Sequence, residues 1–207
     1  MSKVIILIAL FGVAVFAQQK GSFTDPRDKK TYKTVKIGEQ TWMAENLNYN
    51  AKGSKCYGNK PANCDKYGRL YSWETSKSAC PAGWHLPARE EWNVLYDAVG
   101  GEDIAEKVLK SKSGWNDDTE FISGSGRKIS GNGEDKFGFA MLPGGAYGSC
   151  GDGVSSYAFL FAGSCGFFSN SNGNGYLHVC SISDGISSYM SGKDCGYSLF
   201  SVRCLKD

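Results

Sequence analysis

Between Thr31 and Ile37 the residues Tyr32, Thr34, Val35 and Ile37 are spaced among lysines, close enough to a two-residue alternation to predict a strand. Gly38-Glu39 then supplies a turn, and Gln40 to Met43 can return as the second strand of a hairpin. Residues 18–27 form a polar lead-in before this hairpin. Residues 50–66, rich in Lys, Gly, Asn and Pro, read as loop. Arg69 to Lys77 reads as a short strand or the start of a helix, stopped at Cys80-Pro81. The period then changes. Trp92, Leu95, Tyr96 and Val99 fall at i, i+3, i+4 and i+7, which predicts a helix over 89–99 with one apolar face. Glu90 and Glu91 suit its amino-terminal end, and Gly100-Gly101 stops it, although Ala88 offers no capping oxygen. Ile104, Ala105, Val108 and Leu109 predict a second helix over 102–109. After that the pattern predicts only strands and turns, with strands over 137–142, 157–162, 176–182 and 199–205.

A different pattern opens the chain. Lys3 is followed by an apolar run from Val4 to Val15 and by Val15-Phe16-Ala17, a small-residue cleavage signature, so residues 1–17 are expected to be a cleaved export signal. The run is short of the roughly 20 apolar residues that a membrane span needs. No cysteine follows it directly, so no lipid anchor is expected there. The expected product is a secreted or cell-surface protein starting at Gln18, with one domain over 28–207.

Composition narrows the class. Of 207 residues 41% are hydrophobic and 27 are aromatic, enough for a real core and too many for a disordered chain. The 23 basic and 21 acidic side chains leave a net charge of +2, which is no electrostatic footprint for nucleic acid. Charge is unevenly spread, however. Residues 18–143 carry 36 charged side chains, whereas 144–200 carry four (Asp152, Asp184, Lys193, Asp194) among 12 Gly, 12 Ser, 5 Tyr and 3 Asn. Tyr, Ser, Gly and Asn are what adaptable binding loops use, and they also fill turns in a cross-linked β region.

All eight cysteines lie beyond the signal, an even count that reads as four disulfides in an exported chain. Asp152-Gly-Val-Ser-Ser-Tyr157 recurs as Asp184-Gly-Ile-Ser-Ser-Tyr189. Each copy follows a cysteine and precedes a Cys-Gly pair. The two brackets predict Cys150–Cys165 and Cys180–Cys195. Cys56–Cys64 is the local bridge across Gly58-Asn59-Lys60-Pro61, and Cys80–Cys204 pair by elimination. Zinc is the competing use, but Cys-x-x-Cys does not occur and there are only two histidines.

Five ordered blocks carry a family likeness. They are Thr31-Tyr-Lys-Thr-Val-Lys-Ile-Gly38 with Gln40-Thr-Trp-Met-Ala-Glu-Asn-Leu47; Tyr67-Gly-Arg-Leu-Tyr-Ser-Trp73; Ala79-Cys-Pro-Ala-Gly-Trp-His-Leu-Pro87 with Glu91-Trp92; Phe137-Gly-Phe-Ala-Met-Leu-Pro-Gly-Gly145; and Phe200-Ser-Val-Arg-Cys204. Together they resemble the Fibrobacter succinogenes major paralogous domain, a family of exported bacterial proteins, over roughly Thr24 to Asp207. Its namesake degrades plant fibre, which implies a polysaccharide or cell-surface component as partner. Leu86-Pro87, Glu91-Trp92 and Gly100-Gly101 are more distantly similar to the formylglycine-generating enzymes and their C-type-lectin-like scaffold. That likeness implies an α+β fold with two helices, small antiparallel sheets and long loops, in which a bridge like Cys80–Cys204 is common. Those enzymes bind copper through two neighbouring cysteines. Here Cys195 and Cys204 stand eight residues apart and the rest of the motif is missing, so the activity is not carried over.

Other chemistry is sparse. The chain has no His-Glu-x-x-His, nucleophile elbow or phosphate loop. His85 reads as packing and His178 as a structural or surface residue. Trp115-Asn-Asp117 spells the calcium tripeptide of sugar-binding lectins away from its usual place. With Asp118 and Glu120 nearby, Asn116, Asp117 and Asp118 are the candidate calcium ligands. Trp115, Tyr147, Tyr157, Tyr176, Tyr189 and Tyr197 are the candidate ligand-binding rings, since flat aromatic faces suit sugar rings. The expectation is a non-catalytic secreted binding module without a cofactor. The alternatives are a self-associating matrix or surface subunit and, last, an enzyme on the formylglycine-enzyme scaffold.

Overall fold

The computed structural model describes residues 19–116, 118–122, 125–147, 165–171, 174–180, 186–190 and 198–207. The chain runs through β1 (Gln19–Thr24), β2 (Thr31–Ile37), β3 (Gln40–Met43), a 3-10 turn (Tyr57–Asn59), α1 (Pro61–Tyr67), β4 (Leu70–Tyr71), α2 (Trp73–Ser76) and β5 (Trp84–His85). It continues with α3 (Arg89–Val99), α4 (Glu102–Leu109), β6 (Asp118–Ile122), β7 (Ser125–Ile129), β8 (Cys165–Ser171), β9 (Asn174–Cys180), β10 (Ile186–Met190), β11 (Phe200–Ser201) and β12 (Leu205–Lys206). The first sheet is antiparallel throughout, in the order β1-β2-β3-β12-β5. The second has the order β10-β9-β8-β11-β4, with one parallel pair where Ser201 meets Phe167. β6 and β7 form a separate hairpin.

Adjacent residues of a strand point to opposite faces, and the first sheet uses both faces for cores. Trp42 joins one apolar cluster and its neighbour Met43 joins the other. Along β2, Tyr32 belongs to the second cluster while Val35 and Ile37 belong to the first, which is why the alternation is imperfect in the sequence. The first core lies under α3 and α4. Trp92, Leu95, Tyr96 and Val99 of α3 pack there with Ala105, Val108 and Leu109 of α4, and the Trp42 and Trp92 ring centroids are 4.9 Å apart. The second core gathers Tyr32, Leu47, Tyr71, Trp84, Phe200 and Val202 around the Cys80–Cys204 disulfide.

Both predicted helices occupy their predicted spans. Ala88 indeed lacks a cap, and Glu91 compensates from within α3 by accepting the Ala88 N–H at 2.7 Å, half of a capping box. Two further α-helices correct the two-helix expectation. α1 lies inside the presumed loop 50–66. It has Pro at its first position, buries only Cys64 and is tied to the preceding turn by Cys56–Cys64, so seven residues carry no readable periodicity. α2 starts at Ser72, whose Oγ accepts the Thr75 N–H.

The expected strand over 137–142 is a second correction. Phe139 and Met141 are fully buried, which mimics alternation, but Ala140 takes a left-handed conformation and only Met141 makes a bridge, to Lys110. The polar lead-in is strand β1, and the acidic turn after Trp115 opens into the β6–β7 hairpin. The strand expected over 176–182 appears as β9, that over 199–205 as the short β11 and β12, and that over 157–162 lies outside the described residues.

Gly68 closes α1 at φ +76°, ψ −172°, a region open essentially to glycine alone, and a Cβ there would stand 2.7 Å from Asn46 Cβ and 2.8 Å from Leu47 O. Gly68→Ala is therefore expected to lower stability by about 2–3 kcal/mol in urea unfolding. A loss no larger than that of an ordinary surface substitution would show that the backbone there relaxes freely.

Candidate functional site

The candidate rings divide. Trp115 is 5% exposed, its Nε1 donates to Ser111 Oγ and Met141 O, and the Lys110 ammonium covers the ring at 4.2 Å. Lys110 is itself buried and ion-paired with Glu106 one helical turn before it. Trp115 is thus a core residue with no face to offer a sugar, a correction that follows from the fold of the 110–116 segment against the 130–141 segment. Tyr147 is half-buried beneath the Lys55 ammonium, 4.1 Å from the ring centre, and exchanges two backbone hydrogen bonds with Leu199. Tyr176 lies on β9 opposite Ser169, and Tyr189 on β10 opposite Leu177. Tyr157 and Tyr197 lie outside the described residues.

Of the candidate calcium ligands, Asn116 is exposed, Asp117 lies outside the described residues, and Asp118 begins β6 opposite Ile129. Among the described residues no three His, Cys, Asp or Glu side chains are grouped to hold a metal ion. Cys56–Cys64 and Cys80–Cys204 are formed as predicted, with Cα separations of 4.9 Å and 5.9 Å. The predicted Cys150–Cys165 and Cys180–Cys195 bridges each involve a residue outside the described set. The backbone register does place Cys165 opposite Cys180.

The structure also assembles two polar sites that spacing left unassigned. His85, at the edge of the first sheet, is held between two carboxylates. Its Nδ1 lies 2.6 Å from Asp207 Oδ1, and its Nε2 lies 3.0 Å from each oxygen of Glu91. Carboxylates on both sides favour the doubly protonated ring, which can donate to both. Partial burial acts to lower the His85 pKa, but Asp207 and Glu91 outweigh it and raise the value above the ordinary 6.5. In its doubly protonated form the ring clasps β5, the first turn of α3 and Asp207. A raised folded pKa means that this stabilisation is complete below pH 6.5 and fades as pH rises through the folded value. An NMR titration is expected to find the His85 pKa raised above the ordinary 6.5, with Glu91→Gln and Asp207→Asn each bringing it down. Equal titration of His85 in all three proteins would refute the clasp.

Arg203, between β11 and β12, is fully buried. Its Nε and Nη2 donate to Asn46 Oδ1 at 3.1 and 2.6 Å, and its Nη1 donates to Phe139 O at 2.6 Å and Met43 O at 3.2 Å. The guanidinium stands 4.5 Å from the Phe139 ring and 5.7 Å from the Phe167 ring. Burial pushes its pKa down to about 9, against the pull of the Glu45 and Asp135 charges. Asn46 in turn donates to Tyr67 O. Four of the five sequence blocks therefore meet around one guanidinium: Asn46 from the first, Tyr67 from the second, Phe139 from the fourth and Arg203 from the last. Their shared purpose is to build the core junction, and the signal that could have found it was the lone arginine in the apolar run Phe200-Ser-Val-Arg-Cys204.

A model of the Fibrobacter succinogenes major domain matches residues 35–206, which takes in all five blocks apart from the start of β2. No curated protein and no solved structure matches the chain. The match spans most of the sequence and ends within β12, so the chain belongs to the Fibrobacter succinogenes major domain family.

Proposed function

We propose that the chain is an exported, non-catalytic binding module on a C-type-lectin-like scaffold, whose Gly/Ser/Asn/Tyr-rich stretch 144–200 meets a polysaccharide or cell-surface component. The observation that carries this reading is the separation of charge along the chain. The charged part of the chain supplies most of two cores, and the nearly uncharged part adds the three strands β8, β9 and β10 to the outer side of the second sheet. Phe167, buried in the first core, anchors that addition to it. The lectin-like reading draws support from β12 lying between β3 and β5, which brings the end of the chain into the sheet of its beginning, and from Cys80–Cys204. The non-catalytic reading draws support from His85, whose two nitrogens are both occupied. Export draws support from the disulfides and the apolar run 4–15. Among the described residues no helix is long and apolar enough to cross a membrane.

Oxidised protein covering 18–207 is expected to sediment with insoluble cellulose, xylan or chitin, and to lose that binding when Tyr157, Tyr176, Tyr189 and Tyr197 are replaced by alanine while the fold persists. Loss of binding in chelator would add calcium, with Asp117 and Asp118 as the first ligands to test. Wild-type protein that ignores all three polymers would overturn the polysaccharide reading. Concentration-dependent assembly would then favour a self-associating surface subunit, which the outer strands β1 and β10 could pair edge to edge.

A further inference from the structure

Four cysteines remain once Cys56–Cys64 and Cys80–Cys204 are formed: Cys150, Cys165, Cys180 and Cys195. The repeat in the sequence brackets them side by side, 150 with 165 and 180 with 195. The β8–β9 ladder brackets them differently. Its register runs without a slip through seven pairs, from Cys165 opposite Cys180 to Ser171 opposite Asn174. Directly opposed residues of antiparallel strands share a face and stand about 4.5–5.5 Å apart at Cα, inside the roughly 4.4–6.8 Å that a disulfide spans. We propose that Cys165 and Cys180 are joined across this ladder and that Cys150 and Cys195 are joined to each other, giving two nested links instead of two adjacent loops.

A second observation supports the outer link. Tyr147 and Leu199 form an antiparallel bridge with both backbone hydrogen bonds, at 3.0 and 2.7 Å. Along the chain, Cys150 comes three residues after Tyr147 and Cys195 four residues before Leu199. Joining them closes a ring of a few residues against a pair that is already held. Joining either to its sequence bracket closes a 15-residue excursion, which costs more loop entropy. The ladder and the clamp thus favour the same pairing independently.

Each link forms when two thiols give up two protons and two electrons to an oxidised disulfide carrier, which leaves as a dithiol. The inference rests on the exported reading for its oxidising surroundings, yet pairing can be tested apart from export in a glutathione redox buffer. The oxidised protein is digested with chymotrypsin and trypsin without reduction, and the linked peptides are identified by mass. The expected result is Cys165 linked to Cys180 and Cys150 linked to Cys195. Recovery of Cys150 linked to Cys165 would overturn the proposal. The variant Cys165→Ser/Cys180→Ser keeps the test decisive where digestion is incomplete: it should show no free thiol and an intact Cys150–Cys195 peptide. Two free thiols in that variant would likewise refute nesting. Failure of the export reading has its own signature: reduced cysteines in protein taken directly from cells, with the nested pairing still formed in the redox buffer.

Discussion

Arg203→Ala is expected to destabilise the protein by about 4 kcal/mol, the scale for breaking a buried charged network by removing one partner. The substitution deletes the donors that Arg203 supplies to Asn46 Oδ1, Phe139 O and Met43 O, and it leaves a cavity beside the Phe139 and Phe167 rings. An orphaned buried acceptor costs about 1–3 kcal/mol, so three of them account for the effect without invoking the charge itself. Arg203→Lys should recover little, because an ammonium cannot reproduce the fork that serves Asn46 on one side and two carbonyls on the other. Arg203→Met separates charge from hydrogen bonding. It relieves the desolvation that pulls the arginine down to about 9, yet leaves the same acceptors unpaired. It should therefore remain destabilised by about 3 kcal/mol. The check is the urea midpoint at unchanged slope. A methionine variant as stable as the wild type would show that the network adds specificity and no net stability.

Loss of the Cys80–Cys204 bridge should cost about 5 kcal/mol in the chain-entropy account, since it closes a separation of 124 residues. The same account gives about 2.5 kcal/mol for Cys56–Cys64, which closes only eight. Thermal unfolding of Cys80→Ala/Cys204→Ala and Cys56→Ala/Cys64→Ala should thus separate clearly, the first pair losing about twice as much. Cys204 is fully buried and its carbonyl accepts the Met43 N–H at 3.0 Å, so the long bridge also holds β12 in the first sheet. Equal losses in the two variants would mean that native packing around the bridges, and not chain closure, sets their worth.

The family blocks were readable as strings, but their meaning was not. Trp42, Trp92 and Phe139 carried an apolar signal, and the structure stacks them in one core. Trp115 carries the same signal beside Asn and Asp, which in the linear sequence reads as a ligand ring. It is buried because Lys110 and Glu106, two residues that look solvated in a linear reading, are buried with it. His85 and Arg203 are likewise opaque in the sequence, since Asp207 lies 122 residues from the first and Asn46 157 from the second. Charge in a sequence reads as surface unless its partner can be seen, and long-range partners cannot be seen without the fold.

By itself the sequence determined what depends on neighbours within a turn or two. The apolar stripes of α3 and α4, the β2–β3 hairpin with its Gly38-Glu39 turn, the glycine stop at Gly100 and the short Cys56–Cys64 bridge all belong to that class. The tertiary structure alone decided which apolar residues share which of two cores, that Phe139 and Met141 are buried without forming a strand, and that Cys165 faces Cys180. The physical reason is common to these cases. Local periodicity records which face of an element is dry, whereas register, buried charge and core membership are set by chain segments far apart in sequence that meet only when the whole domain closes.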